Sequence, residues 1–286
     1  MSAQGRVMIL TSKTGGGHIS LAESLRDHIQ QNCQVQIIDP LSRLVHSHYR
    51  TVSRYAMWIW SEEYKRTNTP ARALQSQKLL SRLASARLRQ EIKAAQPDLI
   101  ISTHPLLSYS VMRVIERMGK HIPFILLFTD PENLHAAWFI ERDITLTMAP
   151  TTETARQALS LGFPADRVKV VGWPVREQFT LARKMDGKAL LQEKGLDPHL
   201  FTVFLQGGGE GAARFAQTVQ SVLDASEHVQ LILACGTNRL LRERFLGHPR
   251  ILALPFTKSI ASYMAAADVV MGKAGPNMLF ESVTLG

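Results

Sequence analysis

The sequence predicts an α/β protein built from two parallel sheets. Short apolar runs alternate with segments whose apolar residues recur at helical spacing, as in parallel strands joined by crossover helices. A strand, a glycine-rich turn and a helix follow one another twice, at residues 7–29 and again at residues 201–225. A chain of 286 residues, 45% hydrophobic and 20% charged, is long enough for two domains with separate cores.

The composition excludes several other classes of protein. Cys33 and Cys235 are the two cysteines, and their spacing matches no metal or redox motif, which indicates a reduced, cytoplasmic setting. The first residues lack the charged and apolar regions of a signal peptide. No run of about 18 apolar residues predicts a membrane span.

The first glycine-rich turn follows an apolar run from Val7 to Leu10 and leads into a helical pattern. Glycine lets the backbone approach a ligand closely, and the next helix offers N–H groups with a partial positive charge. We therefore expect Gly16, Gly17 and His18 at the mouth of a cleft, where an imidazole can accept a proton near neutral pH. An ordinary turn with a helix-capping histidine explains the same residues equally well.

Other polar residues stand at predicted strand ends. The strand at 98–102 is followed by His104, and the strand at 124–128 by Asp130. Functional groups of open parallel sheets gather at the carboxyl ends of strands, so His18, His104 and Asp130 are predicted to share one edge. The other predicted elements of this half are strands at 34–39 and 144–148, helices at 111–118 and 151–161, and a closing stretch at 168–175.

One segment holds much of the net charge of +9. Residues 50–93 carry ten basic and three acidic side chains, and no strand is predicted between residues 42 and 96. Trp58 and Trp60 beside Lys65 and Arg66 are typical of a helix that lies on an anionic bilayer. Buried tryptophans beside a solvated basic face are the equally weighted alternative.

The second half repeats the pattern of the first. Its predicted elements are strands at 201–206, 230–235, 251–254 and 268–271, and helices at 212–225, 260–267 and from Pro276 onward, with a basic helix after residue 238. The polar, lysine-rich stretch 183–199 predicts a domain boundary. We expect a first domain over 1–180, a linker at 181–199 and a partial second domain over 200–286, and we expect the natural protein to continue beyond residue 286.

These motifs together resemble GT-B glycosyltransferases, in particular the group of monogalactosyldiacylglycerol synthases and processive diacylglycerol glucosyltransferases. The bacterial lipid-II N-acetylglucosaminyltransferase is a more distant relative. The matching stretches keep the family's order. They are residues 14–18, 98–105, 128–130 with His135 and Trp138, 171–176, 207–211 and 273–281. Residues 42–95 match least.

The resemblance implies two Rossmann-like domains that face a cleft, the second of them truncated. It implies an inverting transferase that moves a hexosyl group from a UDP-sugar to a diacylglycerol-type lipid acceptor at an anionic membrane surface. We expect a cytoplasmic enzyme of glycolipid biosynthesis, peripheral on the inner face of the plasma membrane. No cofactor or metal is expected, since neither half has an Asp-x-Asp pair for magnesium, and no nucleic acid partner is expected.

The resemblance also suggests roles for individual residues. His18 is the expected base or acceptor-positioning group, Asp130 is the alternative base or orients a histidine, and Glu281 binds the ribose hydroxyls. Phe256 stacks on uracil unless it belongs to the core. The expected donor-binding residues are Gly207, Gly208, Gly209, Glu210, Phe256, Gly275, Pro276, Asn277 and Glu281, and the expected acceptor-cleft residues are Gly16, Gly17, His104 and His135.

Each of these roles has a structural alternative. Asp130 can cap a turn, Glu281 can be a surface helix residue, and His104 and His135 can be structural. Two other functions also fit the motifs. One is a UDP-N-acetylglucosamine 2-epimerase-like enzyme, which has no lipid acceptor, and the other is a truncated, non-catalytic protein that binds a nucleotide or an anionic surface.

Overall fold

The computed structural model describes residues 4–12, 16–41, 46–47, 57–207 and 215–286, apart from the side chains of residues 16 and 57–60. The chain divides into two compact units, Met1–Pro174 and Val175–Gly286. Each unit contains one parallel sheet. None of the described helices is both long enough and apolar enough to cross a bilayer.

The first unit is built on a six-stranded parallel sheet in the order β2-β1-β3-β4-β5-β6. Its strands are β1 (Gly5–Leu10), β2 (Cys33–Ile38), β3 (Leu99–Ser102), β4 (Phe124–Leu127), β5 (Leu146–Ala149) and β6 (Val168–Val170). Met8, Ile9 and Leu10 of β1 are fully buried, because helices cover both faces of a parallel sheet and leave no solvated side for polar residues.

The helices of the first unit include one long helix, which supports the edge of the sheet where the predicted site residues lie. They are α1 (Gly16–Ile29), α2 (Met57–Thr67), α3 (Pro70–Ala95), α4 (Ser108–Arg117) and α5 (Thr152–Ser160), with 3₁₀ turns at Ala136–Phe139 and Ala165–Arg167. Helix α3 starts at a proline, a residue suited to the first helical position. Its buried residues recur every three or four positions, which gives it one inner face. They are Ala73, Gln77, Ser81, Ala84, Leu88 and Ile92.

The strand order of the first unit places a topological switch point at the carboxyl end of β1, the strand before His18. From β1 the chain crosses to β2 on one side, whereas β3 pairs with β1 on the other side. The connections that leave β1 and β3 therefore diverge at their carboxyl ends, and such a switch point is where open α/β sheets bind ligands.

The second unit has a four-stranded parallel sheet in the order β10-β7-β8-β9. Its strands are β7 (Phe201–Gln206), β8 (Val229–Ala234), β9 (Ile251–Leu254) and β10 (Val269–Gly272). Its helices are α6 (Glu177–Ala182), α7 (Gly187–Glu193), α8 (Phe215–Ala225), α9 (Arg239–Phe245), α10 (Ala261–Ala265) and α11 (Pro276–Leu285). The switch point lies between β7 and β10, and glycines follow both strands in the sequence.

The structure divides the chain earlier than the expected linker at 181–199. Leu191 and Leu196 are buried in a core cluster of the second unit. Gly187 packs so closely on α10 that an added Cβ would lie 2.8 Å from Ala266 Cα. The lysine-rich composition of this stretch marks the exposed sides of short packed helices, and residues 175–180 likewise belong to the second unit.

Candidate functional site

The His18 imidazole is held by the ends of two neighbouring strands. Nδ1 lies 2.8 Å from the Thr103 carbonyl oxygen and 3.1 Å from the Thr129 hydroxyl oxygen. Because a carbonyl oxygen can only accept, Nδ1 carries the hydrogen and donates it to both oxygens. In the neutral ring Nε2 is then the basic nitrogen.

His104 places a second imidazole against the first. The two ring centroids are 4.7 Å apart, and His104 is buried just after β3. Its Nδ1 accepts a hydrogen bond of 3.3 Å from the Leu106 N–H, so the hydrogen of the neutral ring is on Nε2. Burial, followed by the neighbouring His18 and His46, holds the pKa of His104 well below its ordinary value. His104 is therefore neutral at neutral pH.

Asp130 adds a negative charge at the same sheet edge. Its Oδ2 accepts a hydrogen bond of 3.1 Å from Nε1 of the buried Trp138. Burial lowers the pKa of His18, and the charge of Asp130 and the Thr103 hydrogen bond offset this shift only in part. His18 is consequently unprotonated near neutral pH and able to accept a proton, and Asp130 favours the imidazolium that would form.

His135 joins helix α2 to the turn that carries Trp138. Its Nδ1 accepts a hydrogen bond of 3.1 Å from the Ala137 N–H. Its Nε2 lies 3.3 Å from the Tyr64 carbonyl oxygen and 3.2 Å from the Thr67 hydroxyl, so Nε2–H donates towards α2. Both ring nitrogens are thus used inside the first unit. The geometry favours the structural alternative for His135.

The expected membrane residues lie on α2. Lys65 and Arg66 are exposed, and Arg66 Nε donates to Glu62 Oε1 at 3.1 Å. Trp58 and Trp60 lie in the same helix, but their side chains are outside the described part of the structure.

The predicted cleft glycines Gly16 and Gly17 are the first two residues of α1, directly before His18.

The second unit presents backbone groups at its switch point. The Lys273 N–H donates to the Gln206 carbonyl oxygen at 3.2 Å, which joins the turn after β10 to the end of β7. Gly275 is the N-cap of α11 and Pro276 is its first residue. A glycine cap has no side chain to cover the first turn, whose N–H groups and dipole suit an anion such as a phosphate.

The two predicted glycine motifs of the second unit can be placed only in part. Gly207 directly follows β7, whereas Gly208, Gly209 and Glu210 lie outside the described residues. Asn277 is the second residue of α11, directly after Pro276. The described part of the unit therefore gives the frame of the expected phosphate site and one of its two turns.

Glu281 is buried in the second unit and paired with a cation. Arg176 Nε and Nη2 donate to Glu281 Oε1 at 3.0 and 2.8 Å, and the guanidinium lies over the Phe179 ring. The alternative that Glu281 is a surface helix residue is wrong, because both side chains are largely excluded from solvent. A buried carboxylate needs such a partner, since removing it would leave an uncompensated charge.

Phe256 is exposed two residues after β9. Its relative exposure of 58% rules out the alternative that it is a core residue. An exposed ring at the carboxyl edge of the second sheet offers a face on which a nucleobase can stack.

The part of the chain that the structure describes contains neither a candidate metal site nor a candidate site for thiol chemistry. No group of three His, Cys, Asp or Glu side chains is placed there to hold a metal ion. Metal-free donor binding stays a prediction. Cys33 and Cys235 are free thiols, and burial raises the pKa of Cys235 to about 11, so this thiol stays protonated at neutral pH.

Sequence reasoning missed the residues that orient the candidate site. Thr103 and Thr129 fix the His18 ring, and Arg176 pairs with Glu281. His46 Nε2 lies 2.9 Å from Asp39 Oδ2 near the same histidines. One signal was present, since Thr103 and Thr129 each directly precede a predicted site residue at a strand end.

Comparison with known families identifies the chain. Residues 18–175, more than half of the sequence, match the family described as monogalactosyldiacylglycerol (MGDG) synthase. The chain belongs to this MGDG synthase family. Residues 202–286 match the glycosyltransferase family 28 C-terminal domain.

Relatives match this MGDG synthase family member along nearly its whole length. Monogalactosyldiacylglycerol synthase 1, chloroplastic, of Arabidopsis thaliana is 30% identical, over 98% of this chain and 56% of its own length. Monogalactosyldiacylglycerol synthase, chloroplastic, of Spinacia oleracea is 29% identical, over 98% of this chain and 58% of its own length. The chain thus spans somewhat more than half the length of these two relatives.

Solved structures confirm the predicted GT-B fold class, with two Rossmann-like units. S. aureus MnaA, in a co-structure with UDP, has a TM-score of 0.58 at 13% identity, over 95% of this chain and 74% of its own. MurG of Acinetobacter baumannii has a TM-score of 0.56 at 15% identity, over 99% of this chain and 76% of its own. At such identities the likeness concerns the fold alone.

Because His104 is buried and neutral, we expect the free energy of unfolding to depend on pH. A histidine in the unfolded chain titrates near 6.5, whereas His104 in the fold stays neutral to a much lower pH. As pH falls below about 6.5, the unfolded state gains a proton that the folded state does not. Up to about 1.4 kcal/mol of stability per pH unit is then lost for this group.

Urea unfolding of the wild type and His104→Asn between pH 7 and 5 measures this effect. Asparagine keeps an acceptor for the Leu106 N–H but does not titrate, so the loss of unfolding free energy with falling pH should be smaller in the variant. Equal slopes for the two proteins would contradict the assignment.

Proposed function

We propose that the protein is an inverting hexosyltransferase that uses a UDP-sugar donor and the hydroxyl of a diacylglycerol-type lipid as acceptor. The observation that carries the proposal is the fixed His18 ring, whose Nδ1 hydrogen is committed to the Thr103 carbonyl. Nε2 is thereby the nitrogen that can take a proton. Membership of the MGDG synthase family supports the choice of lipid acceptor and sugar donor.

The first unit supplies the base in this proposal. His18 Nε2 removes the proton of the acceptor hydroxyl while its oxygen attacks the anomeric carbon. The new bond from oxygen to carbon forms as the bond from that carbon to the diphosphate breaks, and UDP leaves with the bonding pair. Attack opposite the leaving group inverts the anomeric centre. Asp130 stabilises the imidazolium by its charge, in keeping with its effect on the His18 pKa.

The second unit binds the donor in this proposal. Phe256 stacks on uracil, and Glu281 accepts hydrogen bonds from the ribose hydroxyls while Arg176 holds its carboxylate. The first turn of α11, from Gly275 onward, stabilises the charge of the departing diphosphate through backbone N–H groups and the helix dipole.

The proposal is favoured over an epimerase by the family match across residues 18–175, whereas the likeness to UDP-N-acetylglucosamine 2-epimerases concerns the fold alone. Transfer to a membrane lipid also gives a role to the exposed Lys65 and Arg66 on α2. We accordingly propose action at an anionic membrane surface; the inner face of the plasma membrane stays the predicted location.

His18→Ala tests the base directly. With UDP-galactose or UDP-glucose and diacylglycerol in mixed micelles, the protein should form a β-linked glycolipid, with the linkage read from the anomeric proton coupling. His18→Ala should lower kcat by about 10²- to 10⁴-fold, because general base catalysis contributes that much. UDP affinity, measured by calorimetry, should change little.

Two variants control this test. His18→Gln keeps a donor for the Thr103 carbonyl but has no basic nitrogen, so it should be as impaired as the alanine variant. His28→Ala changes an exposed histidine near the far end of α1 and should keep wild-type turnover. Undiminished turnover in His18→Ala removes this residue from the mechanism.

Phe256→Ala tests the nucleotide subsite. Loss of a stacking ring should weaken UDP binding by about tenfold or more, since stacking on a base is worth about 1–3 kcal/mol. Phe201→Ala is the matched control, because Phe201 is 48% exposed but begins β7, at the opposite edge of the same sheet. Calorimetric titration with UDP should separate the two variants, and equal affinities would rule out stacking on Phe256.

A further inference from the structure

The inner face of α3 carries one long polar side chain, Gln77, which is fully buried. The other buried residues of this helix are small or aliphatic, namely Ala73, Ser81, Ala84, Leu88 and Ile92. Burying an amide in such surroundings costs free energy unless its polar atoms find partners. A methionine would fill a similar space without that requirement, so the partners of the amide indicate what the residue does.

All four hydrogen-bonding groups of the Gln77 amide are used. Nε2 donates to the Pro105 carbonyl oxygen at 2.9 Å and to the Ala137 carbonyl oxygen at 2.7 Å. Oε1 accepts from the Tyr109 N–H at 3.0 Å and from the Ser108 hydroxyl at 3.3 Å. A glutamine has two hydrogens to donate and two lone pairs to accept with, so this network is complete.

The Gln77 oxygen also completes the start of α4. The residue before this helix is Leu107, whose side chain has no acceptor for the N–H groups of the first turn. Gln77 Oε1 supplies that acceptor from another helix, since Tyr109 is the second residue of α4. The loop before α4, residues 103–107, is thus held both at its end and at Pro105.

The two carbonyl partners of Gln77 stand next to groups of the candidate site. One belongs to the residue after His104, whose ring packs on His18 with the centroids 4.7 Å apart. The other belongs to the residue before Trp138, whose indole N–H donates to Asp130 at 3.1 Å. One amide nitrogen therefore joins the backbone behind the imidazole pair to the backbone behind the carboxylate.

We propose that Gln77 is a positioning residue of the transfer reaction, which fixes the separation between the loop before α4 and the turn that carries Trp138. Because Gln77 is fully buried, it acts through these two segments and not on a substrate. A misplacement of about 1 Å caused by a residue far from the chemistry can lower a rate by about 10²-fold. This role rests on the proposed function, since it concerns the surroundings of the proposed base.

The titratable groups around the loop show what a loss of packing would do. His18 and His46 act on His104, Asp130 acts on His18 by its charge, and Asp39 Oδ2 lies 2.9 Å from His46 Nε2. While the loop stays packed, burial and the two imidazoles hold the pKa of His104 well below its ordinary value. A protonated His104 would disfavour the imidazolium that His18 must form.

Gln77→Met and Gln77→Glu test this role without any catalytic step. Methionine makes none of the four hydrogen bonds, whereas glutamate keeps the acceptor side and has at most one hydrogen to donate. Both changes should loosen the loop before α4 and admit water to His104, so the pKa of His104 should rise towards its ordinary value. Imidazole shifts followed against pH by NMR measure this pKa.

Turnover gives the second measurement. With a UDP-sugar and micellar diacylglycerol, both Gln77 variants should lower kcat by about tenfold to 10²-fold. The loss should be greatest at the acid end of the pH profile, where His104 takes up its proton. The affinity for UDP should stay that of the wild type, because the proposed donor residues belong to the second unit.

Two variants on the same face of α3 separate positioning from stability. Ser81→Ala removes a hydroxyl whose partner, Ser85 at 3.0 Å, lies in the same helix. Leu88→Ala opens a cavity about three helical turns from Gln77 and should lower the melting temperature. Both controls should keep the wild-type pKa of His104 and the wild-type pH profile of turnover.

Three results would overturn the role of Gln77. The first is a His104 pKa that is unchanged in the folded Gln77 variants, and the second is an equal rise in Leu88→Ala. The third is normal turnover in a Gln77 variant whose His104 pKa has risen. The wild type provides a test that needs no variant, because the Nε2 hydrogens of Gln77 should exchange slowly with solvent, and rapid exchange would contradict the network.

Failure of the proposed function would look different. A wild type without transferase activity, together with the expected rise of the His104 pKa in the Gln77 variants, would support the part that Gln77 plays in holding the loop. The same result would contradict the proposed transferase reaction.

Discussion

The hydrogen bond from His18 Nδ1 to the Thr103 carbonyl is the constraint on which the candidate site depends. It follows from strand register. Leu10 of β1 pairs with Ser102 of β3, and the Thr103 N–H donates to the Leu10 carbonyl at 2.9 Å. The Thr103 carbonyl is therefore held beside the start of α1, and the imidazole there has its tautomer chosen by a backbone acceptor. A slip of the register would remove that acceptor.

One buried side chain connects this site edge with the basic helix. Gln77 of α3 donates from Nε2 to the carbonyl oxygens of Pro105 and Ala137 at 2.9 and 2.7 Å, and its Oε1 accepts from the Tyr109 N–H at 3.0 Å. The loops that carry His104 and Trp138 are thus tied to the inner side of α3. The outer side of that helix therefore lies one hydrogen-bonded layer from the candidate site.

Alternation of apolar runs and helical periodicity was sufficient to predict both sheets, and it gave β7, β9 and the start of α11 with their observed bounds. Parallel topology then placed His18, His104 and Asp130 at one edge. What local pattern could not predict depends on long-range contact. Arg176 and Glu281 are 105 residues apart in the sequence. The lysine-rich stretch around Gly187 gives no sign that this residue packs on Ala266. Arg176 lies in residues 171–176, one of the stretches that resemble the family, but only the fold shows that it pairs with Glu281.

The protonation state of the His18 ring is the most direct test of this account. Nitrogen-15 shifts of the imidazole at neutral pH, assigned by comparison with His18→Gln, report which ring nitrogen carries the hydrogen. The account predicts a neutral ring with hydrogen on Nδ1 and a bare, basic Nε2. A ring protonated on Nε2, or on both nitrogens, would contradict it, because no base would then be available for an acceptor hydroxyl.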